Sequence, residues 1–307
     1  MYYTRLLVPD IRLKKCYVHW IKVKELISAG MWNSISRLSQ VLSDGLDLVI
    51  TNIWISAYLM GELSIARQIP TYISTLTNTL INLFSPNLTM YYAKDDTEAV
   101  VKELKLSMKF SSFFVNIIFC ILVIFGKYFM QLWVPNQDVN LIYSLLVVIM
   151  MSLLVSGVTT SLNNVFLVTN RLKVNSIFWL IISFTNVLLV FIFLNTTSLG
   201  IYAVAGVSKV TGILGNLIFV PLYACKCLKI KWNTFYPIIF RYIGTTFIMM
   251  IVFFGIKRLY VLPINWITFF VVCVIAGVAG CIVNFFVLLN HTERSIMKNK
   301  IMARVRK

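Results

Sequence analysis

Six polar side chains recur through one otherwise apolar stretch: Asn33, Arg37, Gln40, Asp44, Asp47 and Thr51. At 100° per residue they fall within about 40° either side of one line along a helix. Ile35, Leu42, Leu46, Val49 and Ile53 take the opposite face. A second stretch repeats the pattern, with Arg67, Thr71, Ser74, Asn78, Asn82 and Ser85 within about 60° of one another. A weaker third stripe runs through Ser152, Ser156, Thr160 and Asn163, and Lys209 stands in another apolar stretch beside Gly212 and Gly215. Out of bulk water, guanidinium and ammonium groups bind phosphate strongly, and neighbouring carboxylates suit exchange of a proton or a small cation.

The elements that must position these side chains are membrane helices. Apolar residues make up 59% of the 307 positions and charged residues 13%, with a mean hydropathy of +0.84. A soluble domain carries roughly 25% charged residues, so that class is excluded. The apolar residues fall in blocks of about 20, enough to cross a hydrocarbon core of about 30 Å at about 1.5 Å per residue. They lack the alternation of a membrane barrel, and open sheet edges cannot exist in lipid, so the fold class is all-α: a polytopic helical bundle. Spans are expected near 28–57, 65–91, 109–126, 141–168, 174–194, 200–223, 236–256 and 264–289, about eight in all. Pro70 and Pro86 are expected to kink the second.

The charge distribution tests this layout. Of the 28 Lys and Arg residues, 22 fall in the N-terminal segment, in 92–109, 169–173 and 224–241, and in the tail. The alternate loops hold four, Arg67, Lys127, Lys257 and Arg258, and Arg37 and Lys209 lie within spans. That alternation is an orientation signal and fits both termini in the cytoplasm of a bacterial inner membrane. It argues against nucleic-acid binding despite the net charge of +17, because a binding patch gathers its cations on one folded surface. The first 25 residues are mixed and basic, without the apolar core of a signal peptide. The tail from Thr292 sets Ile296, Met297, Ile301 and Val305 against basic residues and is read as a basic cytoplasmic stop, with an amphipathic helix on anionic lipid as the alternative.

Ionisable groups inside a membrane cost several kcal/mol each, so every one of them is a functional candidate. The stripes have two readings: they line a hydrated cavity, or they tie packed helices together by hydrogen bonds. Two acids, an arginine and a lysine at membrane depth favour the cavity. For Asp44, Asp47 and Lys209 the competing role is a structural ion pair. The six cysteines and two histidines show no metal-site spacing, and no phosphate loop, HExxH or GxSxG motif is present. The chain is therefore read as no enzyme, with no cofactor.

The run from Glu25 to Asp96 resembles the polysaccharide-lipid flippases of the multidrug/oligosaccharidyl-lipid/polysaccharide exporter superfamily. The matching marks are Gly30-Met-Trp-Asn33, Gly45-Leu-Asp-Leu48, Gly61 before Ser64-Ile-Ala-Arg67, and Ser85-Pro86 ahead of an Asp-rich loop. Leu132-Trp-Val-Pro135 and Gly200-Ile-Tyr-Ala203 extend the likeness over nearly the whole chain. The resemblance implies a MATE-like C-terminal lobe at 26–225, preceded by a connector at 1–25 and followed by two further helices at 226–291 and the tail at 292–307. Such flippases have two lobes of helices, so six spans are missing, and a first-lobe polypeptide or polysaccharide-assembly proteins are expected partners. The implied function is flipping of an undecaprenyl-diphosphate-linked oligosaccharide for cell-surface polysaccharide such as O-antigen or lipopolysaccharide. On that view Arg37, Arg67, Lys209, Asn33, Gln40, Asn78, Asn82 and Asn163 meet substrate, and Asp44 and Asp47 bind the coupling H⁺ or Na⁺. Membrane lipid is the remaining partner. A cation-coupled drug antiporter of the same superfamily and a truncated, non-transporting scaffold are the alternatives. A polymerase or ligase needs larger outside loops than these spans leave.

Overall fold

A computed structural model of the chain describes residues 19–259 and 265–288. These residues form helices and short connections, with no strand among them. In chain order they are α1 (Trp20–Trp54), α2 (Ala57–Asn82), the short α3 (Ser85–Ala93) and α4 (Thr97–Trp133). Then follow α5 (Val139–Val168), α6 (Leu172–Thr196), α7 (Ile201–Leu228), α8 (Tyr236–Leu259) and α9 (Trp266–Val287). Local chemistry sets several of the starts. The Ser56 hydroxyl accepts from the Leu59 amide, Asp96 from Ala99, Asp138 from Asn140 and Leu141, and Asn265 from Ile267, each satisfying amides that a helix start leaves open.

Several expected boundaries move. The first connection is only Ile55–Ser56, so the segment around 58–64, read above as a loop, is the first turns of α2. Arg67 is therefore inside a helix and not in an alternate loop. The second expected span breaks at Leu83–Phe84, and Pro86 opens α3, where its missing N–H costs no bond. Pro70 does stand inside α2. The segment 97–108 is the amphipathic start of α4, with Val100, Leu104 and Met108 buried. A 3₁₀ turn at Thr160–Leu162 interrupts α5 and a π turn at Gly215–Phe219 interrupts α7.

Six helices, α4 to α9, are long and apolar enough to cross a membrane. The 35-residue α1 and 26-residue α2 are longer than a bilayer core requires, but their polar stripes keep them below that apolarity. Side-chain contacts fix the directions. Trp32 and Ser39 of α1 meet Ser176 and Ser183 of α6, and Trp54 meets Phe191, so these two run parallel. Tyr143 bonds the Val123 carbonyl while Ser111 bonds that of Gly157, so α4 and α5 are antiparallel. Ser144–Tyr202 and Thr159–Asn216 set α5 parallel to α7. Asn116–Asn284 and Phe129–Phe269 set α4 antiparallel to α9. The eight long helices thus alternate, and the start of α1 lies at the same end of the bundle as the finish of α9. That end is called proximal below, and the other distal.

Two apolar cores fill the bundle. One joins α4, α5, α7, α8 and α9 around Phe119, Phe125, Leu145 and Phe253 with contributions from α1 and α2. The other, on the proximal side, packs Leu88, Val100, Phe166, Phe235 and Tyr242. Gly157 permits the closest approach: a Cβ there would stand 2.7 Å from Val115 Cγ1 and 2.9 Å from the Tyr242 hydroxyl.

Candidate functional site

The two stripes meet at Asp47 and Arg67. Asp47 is 6% exposed, and an Arg67 Nη1 lies 3.9 Å from its Oδ2, the two side chains retaining 14% (Arg67) and 9% (Asp47) of their surface. A third helix joins them, because the Ser208 hydroxyl donates to the same Oδ2 at 3.3 Å. Thr51, fully buried one turn on, donates to the Asp47 backbone carbonyl at 2.7 Å. At about 1.5 Å per residue, Asp47 and Ser208 sit about 10 Å and Arg67 about 15 Å in from the distal ends of their helices, well inside a core of about 30 Å. Lys209 is half-buried on the residue after Ser208, so α7 brings an ammonium to the same level.

What holds α1 in this position is α6. Ser176 and Ser183 each bond a backbone carbonyl of α1, at Trp32 (2.8 Å) and Ser39 (2.9 Å), and Ser36 bonds the Ser176 hydroxyl at 2.7 Å. Small hydroxylated residues at seven-residue spacing let two backbones approach and bond across the seam, which is the usual means of joining helices where lipid gives no hydrophobic drive. Asn186, buried one turn further along α6, accepts from Thr211 of α7. The carboxylate of Asp47 is thus placed by a three-helix frame of α1, α6 and α7, and the guanidinium by α2.

The other expected site residues lie elsewhere. Asn33, Arg37 and Gln40 are exposed on the proximal two-thirds of α1; Asn78 and Asn82 are exposed on the proximal half of α2; Asn163 is exposed near the proximal end of α5. The Asp44 side chain falls outside the described side chains. The structure therefore joins Asp47 to Arg67 and Ser208 and leaves the amide and Arg37 side chains on the bundle surface. Ser152 and Thr160 of the third stripe bond their own helix, at the carbonyls of Ile149 and Ser156.

Two buried charges escaped the sequence reading. Glu62 is 1% exposed, and the Tyr58 phenol one turn away is the polar group that faces its carboxylate. It was missed because 58–64 was read as a loop. The signal that finds it is Ser56 as a helix cap followed by Leu59, Leu63, Ala66, Pro70 and Ile73 at helical spacing. Lys109 is 8% exposed within α4, where the sequence reading placed it in a solvated segment.

No protein-family model and no solved structure matches the chain. Among curated proteins, it is 25% identical over 234 residues to the uncharacterized membrane protein EpsK of Bacillus subtilis (strain 168). That similarity covers 76% of this chain and 46% of the relative, so the chain spans about half the length of the protein it matches. The chain is a multi-pass helical membrane protein. Its six apolar helices and the nature of that relative agree on this, and Asp47 and Arg67 form an ion pair inside it.

Proposed function

We propose that this chain is one lobe of a membrane translocator for a lipid-linked oligosaccharide, the polar sugar and diphosphate moving along the α1–α2 face while the prenyl tail stays in lipid. The observation that carries the proposal is the face itself. Asn33, Arg37, Gln40, Asn78 and Asn82 are exposed on helices that run in register with six apolar spans, and the Asp47–Arg67 pair lies at membrane depth between them. Exposed arginine and amide groups do not face hydrocarbon, so such a face needs water, substrate or a second bundle opposite it. The resemblance of 25–96 to polysaccharide-lipid flippases and the greater length of the relative support a second bundle, supplied by a first-lobe polypeptide.

In this reading α1 and α2 also cross the membrane, giving eight spans in a bacterial inner membrane. The proximal end is cytoplasmic, because it carries Lys94, Lys102, Lys105, Arg171, Lys173, Lys226, Lys229 and Lys231, against three Lys and Arg at the distal end. Arg67 and Lys209 are the cations placed deepest, and Arg67 is the residue that exchanges Asp47 for a diphosphate oxygen as substrate passes. A 3.9 Å pair is loose enough for a phosphate that offers two acceptor oxygens to compete. Asp47 then holds the compensating cation until Arg67 returns.

The test is complementation of a flippase-deficient strain by this chain together with its first lobe. Arg67→Ala and Asp47→Asn are expected to abolish surface polysaccharide even after correction for the membrane level of each variant, and Arg37→Gln to weaken it. Full complementation by both Arg67→Ala and Asp47→Asn would remove the site from the mechanism.

A further inference from the structure

Away from the α1–α2 face, the distal end of the bundle gathers its cations in one place. Lys127 of α4 and Lys257 and Arg258 of α8 are separated by 130 residues of sequence, yet the parallel packing of α4 and α8 sets Lys257 against the turn of α4 from Ile124 to Tyr128, which carries Lys127. The Lys257 ammonium is held in place by donating to the Ile124 carbonyl of α4 at 2.9 Å and by lying 5.5 Å from the centre of the Tyr128 ring. The Arg258 guanidinium lies over the Phe254 ring at 4.9 Å, and its residue is exposed, as is Lys127.

Among the described residues, no acidic side chain is paired with this group. Of the acids toward this end, Asp138 is engaged in capping α5 through the amides of Asn140 and Leu141, and Glu62 is buried on α2 beside Tyr58. The sequence joining α8 to α9, residues 260–264, contains no acidic residue. Like charges held together without a counter-charge cost free energy that an anion recovers. The depth of the cluster identifies the anion's source. Trp133, Phe129, Trp266 and Phe269 pack together beside it, with Phe129 ring centres 5.5 Å from Trp133 and 6.1 Å from Trp266. Aromatic residues that end apolar spans mark the level of lipid headgroups.

We infer that Lys127, Lys257 and Arg258 form a binding site for the phosphate of an anionic lipid headgroup in the leaflet at the distal end. The site lies on α4 and α8 and does not depend on the transport reading, only on the membrane placement of these two helices. Lys257 is the fixed floor of the site, and Lys127 and Arg258 are the exposed arms that close on the phosphate.

The test uses the full chain purified in a neutral detergent, with unfolding temperature and native mass spectrometry as readouts. Adding phosphatidylglycerol is expected to raise the unfolding temperature by several degrees, with phosphatidylcholine and inorganic phosphate giving little. Lys127→Gln/Arg258→Gln, which spares the Lys257 bond to Ile124, is expected to lower the apparent phosphatidylglycerol affinity at least fivefold and to retain one lipid fewer. Lys229→Gln/Lys231→Gln at the proximal end is expected to leave the distal lipid in place. An unchanged phosphatidylglycerol response in the distal double variant overturns the proposal, and so does an equal response to phosphatidylcholine. A response to inorganic phosphate as large as that to the lipid also overturns it, by making the site one for a soluble anion.

Discussion

Removing one member of the Asp47–Arg67 pair leaves the other as a charge in a nearly closed site. At 3.9 Å and an effective dielectric of about 20, the direct attraction is about 4 kcal/mol, most of it offset by the desolvation both groups undergo on burial. Asp47→Asn or Arg67→Gln alone is expected to cost about 3 kcal/mol, because it removes the opposite charge beside a side chain that is only 9% (Asp47) or 14% (Arg67) exposed. The double variant strands neither, so its cost falls short of the sum by about 1–3 kcal/mol. Each side chain also interacts with other groups, which is why the non-additivity, and not either single cost, is the decisive quantity. The assay is reversible unfolding in mixed micelles with rising dodecyl sulfate fraction, followed by helical circular dichroism for the parent, both singles and the double. Additivity within about 0.5 kcal/mol would refute a direct coupling between the two stripes.

Three further outcomes follow from the packing. Asn284→Leu removes the 2.9 Å bond to the Phe113 carbonyl and the acceptor of Asn116 Nδ2, and is expected to destabilise by about 2 kcal/mol in the same assay; Asn116→Leu added to it should recover part of the loss. Gly157→Val places new carbons against Val115 and Tyr242, closer than atoms pack, and is expected to lower stability by about 1–3 kcal/mol or prevent folding, seen as loss of the monodisperse peak in gel filtration. Glu62→Gln keeps the volume of a side chain that is 1% exposed while removing its capacity to carry charge, and is expected to raise the unfolding temperature by a few degrees; a fall would show that the charge itself holds α2 in place.

Much of the fold is legible in the sequence. Blocks of about 20 apolar residues can only be helices in lipid, and six of the eight expected spans are helices of matching position and apolar length. The polar stripes of α1 and α2 are legible because helical periodicity is a local property, and the expectation that Asp44, Asp47, Arg37 and Lys209 lie within helices rests on the same periodicity. The helix ends were less legible. The α1–α2 connection is only two residues long, but Gly61, Glu62 and Ser64 lower the local hydropathy, so the sequence suggests a loop where α2 makes its first turns.

What sequence alone determined, then, is that the chain forms long apolar helices suited to a membrane and which residues share a helical face. It could not determine which faces meet. Asp47 lies beside Arg67 only because α1 and α2 fold back on one another, and it meets Ser208 only because Ser176 and Ser183 of α6 fix α1 within reach of α7. Asn33, Arg37, Gln40, Asn78 and Asn82 belong to the same stripes yet remain on the surface, since a stripe of constant angle faces different neighbours along a helix of 35 residues. Lys127 and Lys257 show the same division. Periodicity places each near a helix end, but only the parallel packing of α4 and α8 brings them to one site. Pairwise contact across 20 to 160 residues of chain is a property of tertiary packing, and no local pattern encodes it.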